Sequence, residues 1–415
     1  MEQTFIYRAR NLTGGMVTGR VEADTQGAAI ASLREGIDVG HHTAGGHGGQ
    51  EETAVTARTY PVDLDELLRY TIERKGSDLH LTAGAPPVAR IHGELVFLDL
   101  PLLRPCDVEA LILPRLDRSL REAFREKLEL DFSYSIPGLS RFRGNLMFQR
   151  GSIAAAFRVV PYNPPRLEDL GLPPAVRSLC DLPRGLILVT GPTGSGKSTT
   201  LASMIDIINE ERSVNILTVE EPIEFLHRQK KSIVKQREER SDTRSFAEAL
   251  RHALRHDPDV ILVGEMRDLE SISIALTAAE TGHLVFSTLH TQTAPLTIHR
   301  IVDVFQEYLR EQIRQQLADS LQAVISQQLL PAADGSGRVL AVELMLAIPA
   351  VRNMIREGKE HQLYTVIQTN RSLGMQTMDQ ALADLCLAGK ITQEVAFSRC
   401  VDKVELERLL QRKRT

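Results

Sequence analysis

Tryptophan is absent from this chain, aromatic residues make up only 5% of it, and it contains just four cysteines. Cys106, Cys180, Cys386 and Cys400 stand far apart and form no C-x-x-C pair. That distribution offers no zinc-site spacing and fits reduced thiols in the cytoplasm. No apolar run approaches the roughly eighteen residues that a membrane-spanning helix needs, and the N-terminus lacks a basic-then-apolar leader. The expected location is therefore cytoplasmic, with any membrane reached through a partner. One-sided charge is lacking too. A net charge of -5 provides no overall basic footprint, so nucleic acid is not expected as a direct partner.

What is present is ordinary core-forming material: 42% hydrophobic and 25% charged residues over 415 positions, enough for two or three domains. Residues 1–39 form a small ββα unit. Phe5 to Arg10 and Val17 to Ala23 are the expected strands, Asn11 to Gly15 the turn, and Ala28 to Leu33 a short helix. Residues 40–60 carry Gly, His and Thr without hydrophobic period and are expected to be a flexible linker. Its histidines, His41, His42 and His47, are taken as solvated residues rather than metal ligands. Residues 61–165 mix helix and strand. Residues 166–330 alternate strand and helix as a parallel sheet flanked by helices does. Residues 331–415 are expected to be mainly helical.

The chemistry concentrates in the third segment. Leu186 to Thr190 is an apolar, β-branched run suited to a central parallel strand. It leads into Gly191, Pro192, Thr193, Gly194, Ser195, Gly196, Lys197, Ser198 and Thr199, a complete G-x-x-x-x-G-K-[ST] phosphate loop. The glycines let backbone N–H groups converge on phosphates at the positive end of the next helix. In such a loop Lys197 neutralises the β- and γ-phosphates of ATP and the Ser198 hydroxyl ligates Mg²⁺. A second apolar strand, Val260 to Gly264, ends in Glu265, followed by Met266, Arg267 and Asp268; a carboxylate there can order Mg²⁺ or polarise water. A third strand ends in Glu220, Glu221 and Glu224. His283 and His290 bracket the strand Leu284 to Thr288, and His290 is placed to sense a γ-phosphate.

Together these motifs resemble, in order and spacing, the PilT/GspE superfamily of pilus and secretion ATPases. Glu220-Glu221-Pro222-Ile223-Glu224 resembles its acidic box, Val263 to Asp268 its Walker B segment, and Thr288-Leu289-His290-Thr291 its histidine box. Gly76 to Leu81, Ala350 to Glu357 and Leu373 to Asp379 resemble segments of the pilus-retraction branch, and the four-cysteine zinc insertion usual in assembly and secretion relatives is missing. The similarity runs from about Pro61 to Thr392. It implies a homohexamer whose subunits pair a PAS-like α+β N-domain with a RecA-like P-loop C-domain and a helical C-terminal region, hydrolysing ATP with Mg²⁺ to drive pilus retraction. It further implies that Glu265 and Glu224 manage metal and water, with Glu220, Glu221 and Arg267 in support. His283 and His290 are then expected to couple phosphate state to movement, and Arg141, Arg143 and Arg158 to reach phosphate from the N-domain. The acidic box usually reads Glu-Asp-Pro, and Glu221 departs from that pattern. Residues 1–39 resemble the start of PilC/GspF inner-membrane platform proteins, which makes such a protein the expected partner at the inner membrane face. Alternative readings are an assembly or secretion ATPase, a regulatory nucleotide-binding module, or a nucleic-acid motor.

Overall fold

The computed structural model describes residues 3–10, 16–23, 60–239 and 241–412. At the N-terminus, β1 (Gln3–Arg10) and β2 (Met16–Ala23) pair antiparallel from Gln3 opposite Ala23 to Arg10 opposite Met16, as the turn residues between them predict. The short helix and the linker expected after them lie outside the described residues.

The chain divides into two compact units at Val159/Val160, a few residues before the boundary expected at 165. In the first, α1 (Leu64–Glu73) opens with a reciprocal cap: Asp63 Oδ1 accepts from the Glu66 amide at 2.9 Å, and Glu66 Oε2 accepts from the Asp63 amide at 3.0 Å. Its Leu64, Leu67, Leu68 and Thr71 face inward. They cover a six-stranded sheet of order β5-β4-β3-β8-β7-β6, in which β3 is Gly76–Thr82, β4 Val88–Ile91, β5 Glu94–Phe97, β6 Glu129–Ile136, β7 Ser140–Gln149 and β8 Ser152–Val160. β4 and β5 are joined by a tight turn at His92 and Gly93, both with positive φ. Gly76 has a steric reason: a Cβ there would meet Thr71 Cγ2 at 2.8 Å and Thr71 O at 2.9 Å, so only glycine lets β3 start against α1.

The second unit is built on a seven-stranded sheet of order β11-β10-β12-β13-β9-β14-β15. These strands are β9 (Gly185–Thr190), β10 (Asn215–Glu220), β11 (Ile233–Glu238), β12 (Val260–Val263), β13 (Leu284–Leu289), β14 (Leu321–Pro331) and β15 (Arg338–Leu346). Six run parallel and β15 closes one edge antiparallel to β14. Successive residues of β9 feed opposite cores. Leu186 and Leu188 pack toward one face, Ile187 and Val189 toward the other, all fully buried. Burying such a side chain is worth about 1.5–3 kcal/mol, so this two-sided strand is an anchor of the unit.

The face of Ile187 is covered by α2 (Lys197–Glu211). The other is covered by α3 (Phe246–Ala253), α4 (Leu269–Glu280), α5 (Ala294–Asp303) and α6 (Glu307–Ser320), with α7 (Pro349–Arg356) and α8 (Leu363–Thr369) packed behind. A last core joins Leu330 and Ala341 to α9 (Met378–Leu387), α10 (Gln393–Arg399) and α11 (Lys403–Arg412). The described region after 331 is thus helical except for β15, which extends the seven-stranded sheet. The order βαβ with a phosphate loop after a central strand is the RecA-like arrangement expected, and no described helix is long and apolar enough to cross a membrane.

Candidate functional site: a phosphate loop and an acid–base cluster at one sheet edge

Parallel strands put all their C-terminal ends on one edge, where the following turns collect polar residues. β9 delivers the phosphate loop there. Gly191 (φ 139°), Gly194 (φ 77°) and Gly196 (φ 91°) take conformations that side chains resist. At Gly191 the constraint is doubled, because a Cβ would lie 2.3 Å from the carbonyl oxygen of Gln327 on β14. The loop is therefore pressed against β14 and opens directly into α2, whose first residue is Lys197. The Lys197 ammonium donates to the Gly191 carbonyl at 2.8 Å and the Pro192 carbonyl at 3.2 Å. Burial lowers its pKa, an effect opposed by the charge of Glu265. Ser198, Pro192, Thr193 and Gly194 are exposed, Gly196 and Thr199 are half-buried, and Ser195 is buried.

β12 delivers Glu265 to the same edge. Its Oε2 accepts from Arg267 Nε at 2.8 Å and its Oε1 lies 3.2 Å from His290 Nε2. Arg267 reaches further, to Glu221 Oε2 at 2.5 Å, so a single guanidinium ties the Walker B acid to the acidic box; bonding to Glu265 first and to Glu221 second raises its pKa. Exposed ion pairs of this kind contribute about 0–1 kcal/mol to stability, so their consequence here is placement. Thr288 supports the edge from β13, its hydroxyl donating to the Gly264 carbonyl at 2.6 Å.

The acidic box splits three ways. Glu220 turns toward β11, accepting from Thr218 Oγ1 at 2.6 Å and Gln236 Nε2 at 3.2 Å, while burial pushes its carboxyl pKa up. Glu221 joins Arg267. Glu224 is exposed to solvent. The two histidines are also separated. His290 follows the end of β13 beside Glu265, whereas His283 precedes its start. There its Nδ1 lies 2.9 Å from the Ala278 carbonyl, and its own carbonyl accepts from the Gly185 amide. A strand of that length holds them roughly 20 Å apart. The N-domain arginines belong to the first unit. Arg158 donates to Asp78 at 2.8 Å; burial would push the Asp78 carboxyl up, but bonds from Ser77 and Arg158 hold it below the ordinary range. On β7, Arg141 is half-buried and Arg143 exposed.

Two residues escaped the sequence reading. Gln327 is fully buried on β14, and its Nε2 donates to Thr200 Oγ1 at 2.7 Å, bracing the loop helix. Glu343 on β15 is likewise fully buried. The Ala350 to Glu357 segment proves to be a clamp. Arg352 donates to the Ala318 carbonyl at 2.5 Å and to Gln322 at 3.1 Å, and Arg356 pairs with Asp319 at 2.6 Å, tying α7 to the carbonyl end of α6.

Fold and edge together define the class, a RecA-like P-loop ATPase. Residues 166–396 match the family model described as Type II/IV secretion system protein, and the chain belongs to that family. Residues 1–36 match the N-terminal domain of Type II secretion system protein F. The chain is 52% identical over 335 residues to the type IV pilus retraction ATPase PilT of Pseudomonas aeruginosa, covering 81% of this chain and 97% of that protein. It is 50% identical over 313 residues to a twitching motility protein of Neisseria gonorrhoeae, covering 75% and 84%. Among solved structures, the pilus retraction motor PilT with bound ADP superposes with a TM-score of 0.77 at 53% identity, covering 84% of this chain and 99% of that one.

Proposed function

We propose that this chain is the hexameric motor of type IV pilus retraction, acting at the cytoplasmic face of the inner membrane on a PilC-like platform protein. The observation that carries the reading is the meeting of Lys197, Glu265, Arg267 and His290 at one sheet edge, in a chain half identical to a retraction ATPase over nearly that protein's whole length.

ATP is the substrate. The loop amides from Gly191 to Thr199 hold its phosphates, and Lys197 exchanges its two carbonyl partners for phosphate oxygens. An exposed Ser198 hydroxyl and the Glu265 carboxylate form a hard oxygen donor set, which fits Mg²⁺. Held by those oxygens, Mg²⁺ would supply neutralisation of the phosphate charge. Glu265 orients the attacking water for in-line displacement, and His290, in contact with Glu265, registers loss of the γ-phosphate. Glu224, exposed beside the box, completes the site when the cleft closes on nucleotide; Glu221 and Arg267 keep Glu265 aligned, and Glu220 fixes the box to β11. Arg141, Arg143 and Arg158 add positive charge from the N-domain, and His283 acts at the other end of β13. Ring assembly gives repeated closures a common direction. Residues 1–39 serve as a docking or regulatory module whose likeness to a platform-protein domain suits that partner.

The test is a strain lacking this protein, complemented with wild type or with Glu265→Gln. Excess surface pili and lost twitching, restored by wild type alone, are expected. Bald cells would instead assign the chain to pilus assembly, and an unchanged strain would remove it from retraction.

A further inference from the structure

Glu343 is a carboxylate with no contact to solvent, and the hydrolytic edge does not use it. It sits on β15 opposite Ser326, with Val342 and Leu344 facing the α2 side and Met345 sharing the core of α5. Two hydrogen bonds hold it. Oε1 accepts from the Ala294 amide at 2.6 Å, and Oε2 accepts from the Met378 amide at 3.3 Å. Ala294 is the first residue of α5 and Met378 the first residue of α9. One carboxyl group therefore meets the amide ends of two helices whose first residues are 84 positions apart in sequence.

The location gives this staple a consequence. α5 begins four residues after His290, and the connecting turn is knitted to it: Thr291 Oγ1 lies 2.7 Å from Thr297 Oγ1, which in turn donates to the Thr293 carbonyl at 2.7 Å. The position of the first turn of α5 thus sets the position of His290 against Glu265. The α9 end is rigid in its own right. Asp379, fully buried, accepts from the Val401 amide at 2.7 Å and the Asp402 amide at 3.0 Å, at the start of α11. Glu343 consequently references the histidine turn to the C-terminal helical layer as well as to the sheet.

We propose that Glu343 is a positioning residue for ATP hydrolysis, stapling α5 to α9 so that His290 stays in register with Glu265. This deepens the motor reading and rests on the roles it gives Glu265 and His290. A carboxyl group keeps lone pairs on both oxygens for the two amides; a carboxamide turns one of them into a donor facing a donor. Glu343→Gln therefore loosens one arm of the staple without touching the phosphate loop.

Asp107→Asn is the matched control, a similar lesion at a buried carboxylate of the first unit that is bonded by Arg104 and makes no bond to α5 or α9. The full-length protein is assayed for ATP turnover, thermal midpoint, and backbone hydrogen exchange over residues 291–297. Glu343→Gln is expected to lower kcat about tenfold with KM for ATP within about twofold, and to speed exchange over 291–297. Asp107→Asn is expected to lower the midpoint by a few degrees while leaving kcat and that exchange at wild-type values. Equal kcat losses in the two variants, or unchanged exchange in Glu343→Gln, would overturn the proposal. If the glutamine variant does not fold, Glu343→Asp takes its place; it retains both acceptors at shorter reach, and the same exchange increase and kcat loss are expected in milder form. Exchange is read without turnover, so a wild-type protein that failed to hydrolyse ATP would sink the motor reading separately from the staple.

Discussion

His283 and His290 sit at opposite ends of the same buried strand, and the contrast between those ends shows how the fold assigns chemistry. At the N-terminal end, His283 is occupied by the Ala278 carbonyl and by Thr281, on the turn that leaves α4. At the C-terminal end, His290 meets Glu265, which meets Arg267, which meets Glu221, with Lys197 close enough for Glu265 to influence its titration. The residue type is the same and so is the strand. The difference is that parallel strands send their polar turns, and the amide end of α2, to one edge only.

The largest expected effect falls on that edge. Lys197→Ala removes the one ammonium held in the loop and is expected to cut ATP turnover by about 10³-fold with the thermal midpoint nearly unchanged. Measured hydrolysis near wild type would separate the loop from the chemistry. Next, Arg267→Ala frees both Glu265 and Glu221, and a loss of about tenfold in kcat is expected, equivalent to about 1.4 kcal/mol of alignment. The histidine pair then provides the sharpest contrast. His290→Ala is expected to lower kcat about tenfold and His283→Ala by less than about twofold. Equal losses from the two, measured side by side, would break the contrast between the ends.

The smallest effect concerns pH. Burial lifts the Glu343 carboxyl to about 7 against an ordinary 4.5, and its facing groups are the first turns of α5 and α9 and the Asp379 carboxylate. A raised acid means that the folded state holds the proton more tightly. Its contribution to stability is therefore full below about pH 4.5 and is lost as pH rises through about 7. Thermal midpoints taken from pH 5 to 8 should fall more steeply for wild type than for Glu343→Gln, and parallel curves would contradict the assignment.

Much of this edge was legible beforehand because its signals are local. An all-apolar strand followed by a glycine-rich turn and a lysine leaves one interpretation, and Glu265 and His290 each end a comparable apolar run. The fate of the acidic box was not legible. Whether Glu220, Glu221 or Glu224 meets Arg267 depends on the turn at Pro222 and on a partner 46 residues away, which no short window contains. β15 was hidden for a related reason. Val339 to Leu346 is an apolar run of a length that suits strand or helix equally, and only pairing with β14 decides it. Glu343 looks like a misplaced charge within that run until the amides of Ala294 and Met378 are brought to it. Gln327 likewise acquires a role only when β14 lies against the phosphate loop.

The most direct test separates holding nucleotide from cleaving it. ATP binding and ATP hydrolysis are measured on purified wild type and Glu265→Gln. Glu265→Gln is expected to bind ATP within about threefold of wild type while hydrolysis falls by at least about 10²-fold, since the loop is intact and only the carboxylate proposed to orient water is gone. Hydrolysis at the wild-type rate by Glu265→Gln would contradict the account at its centre.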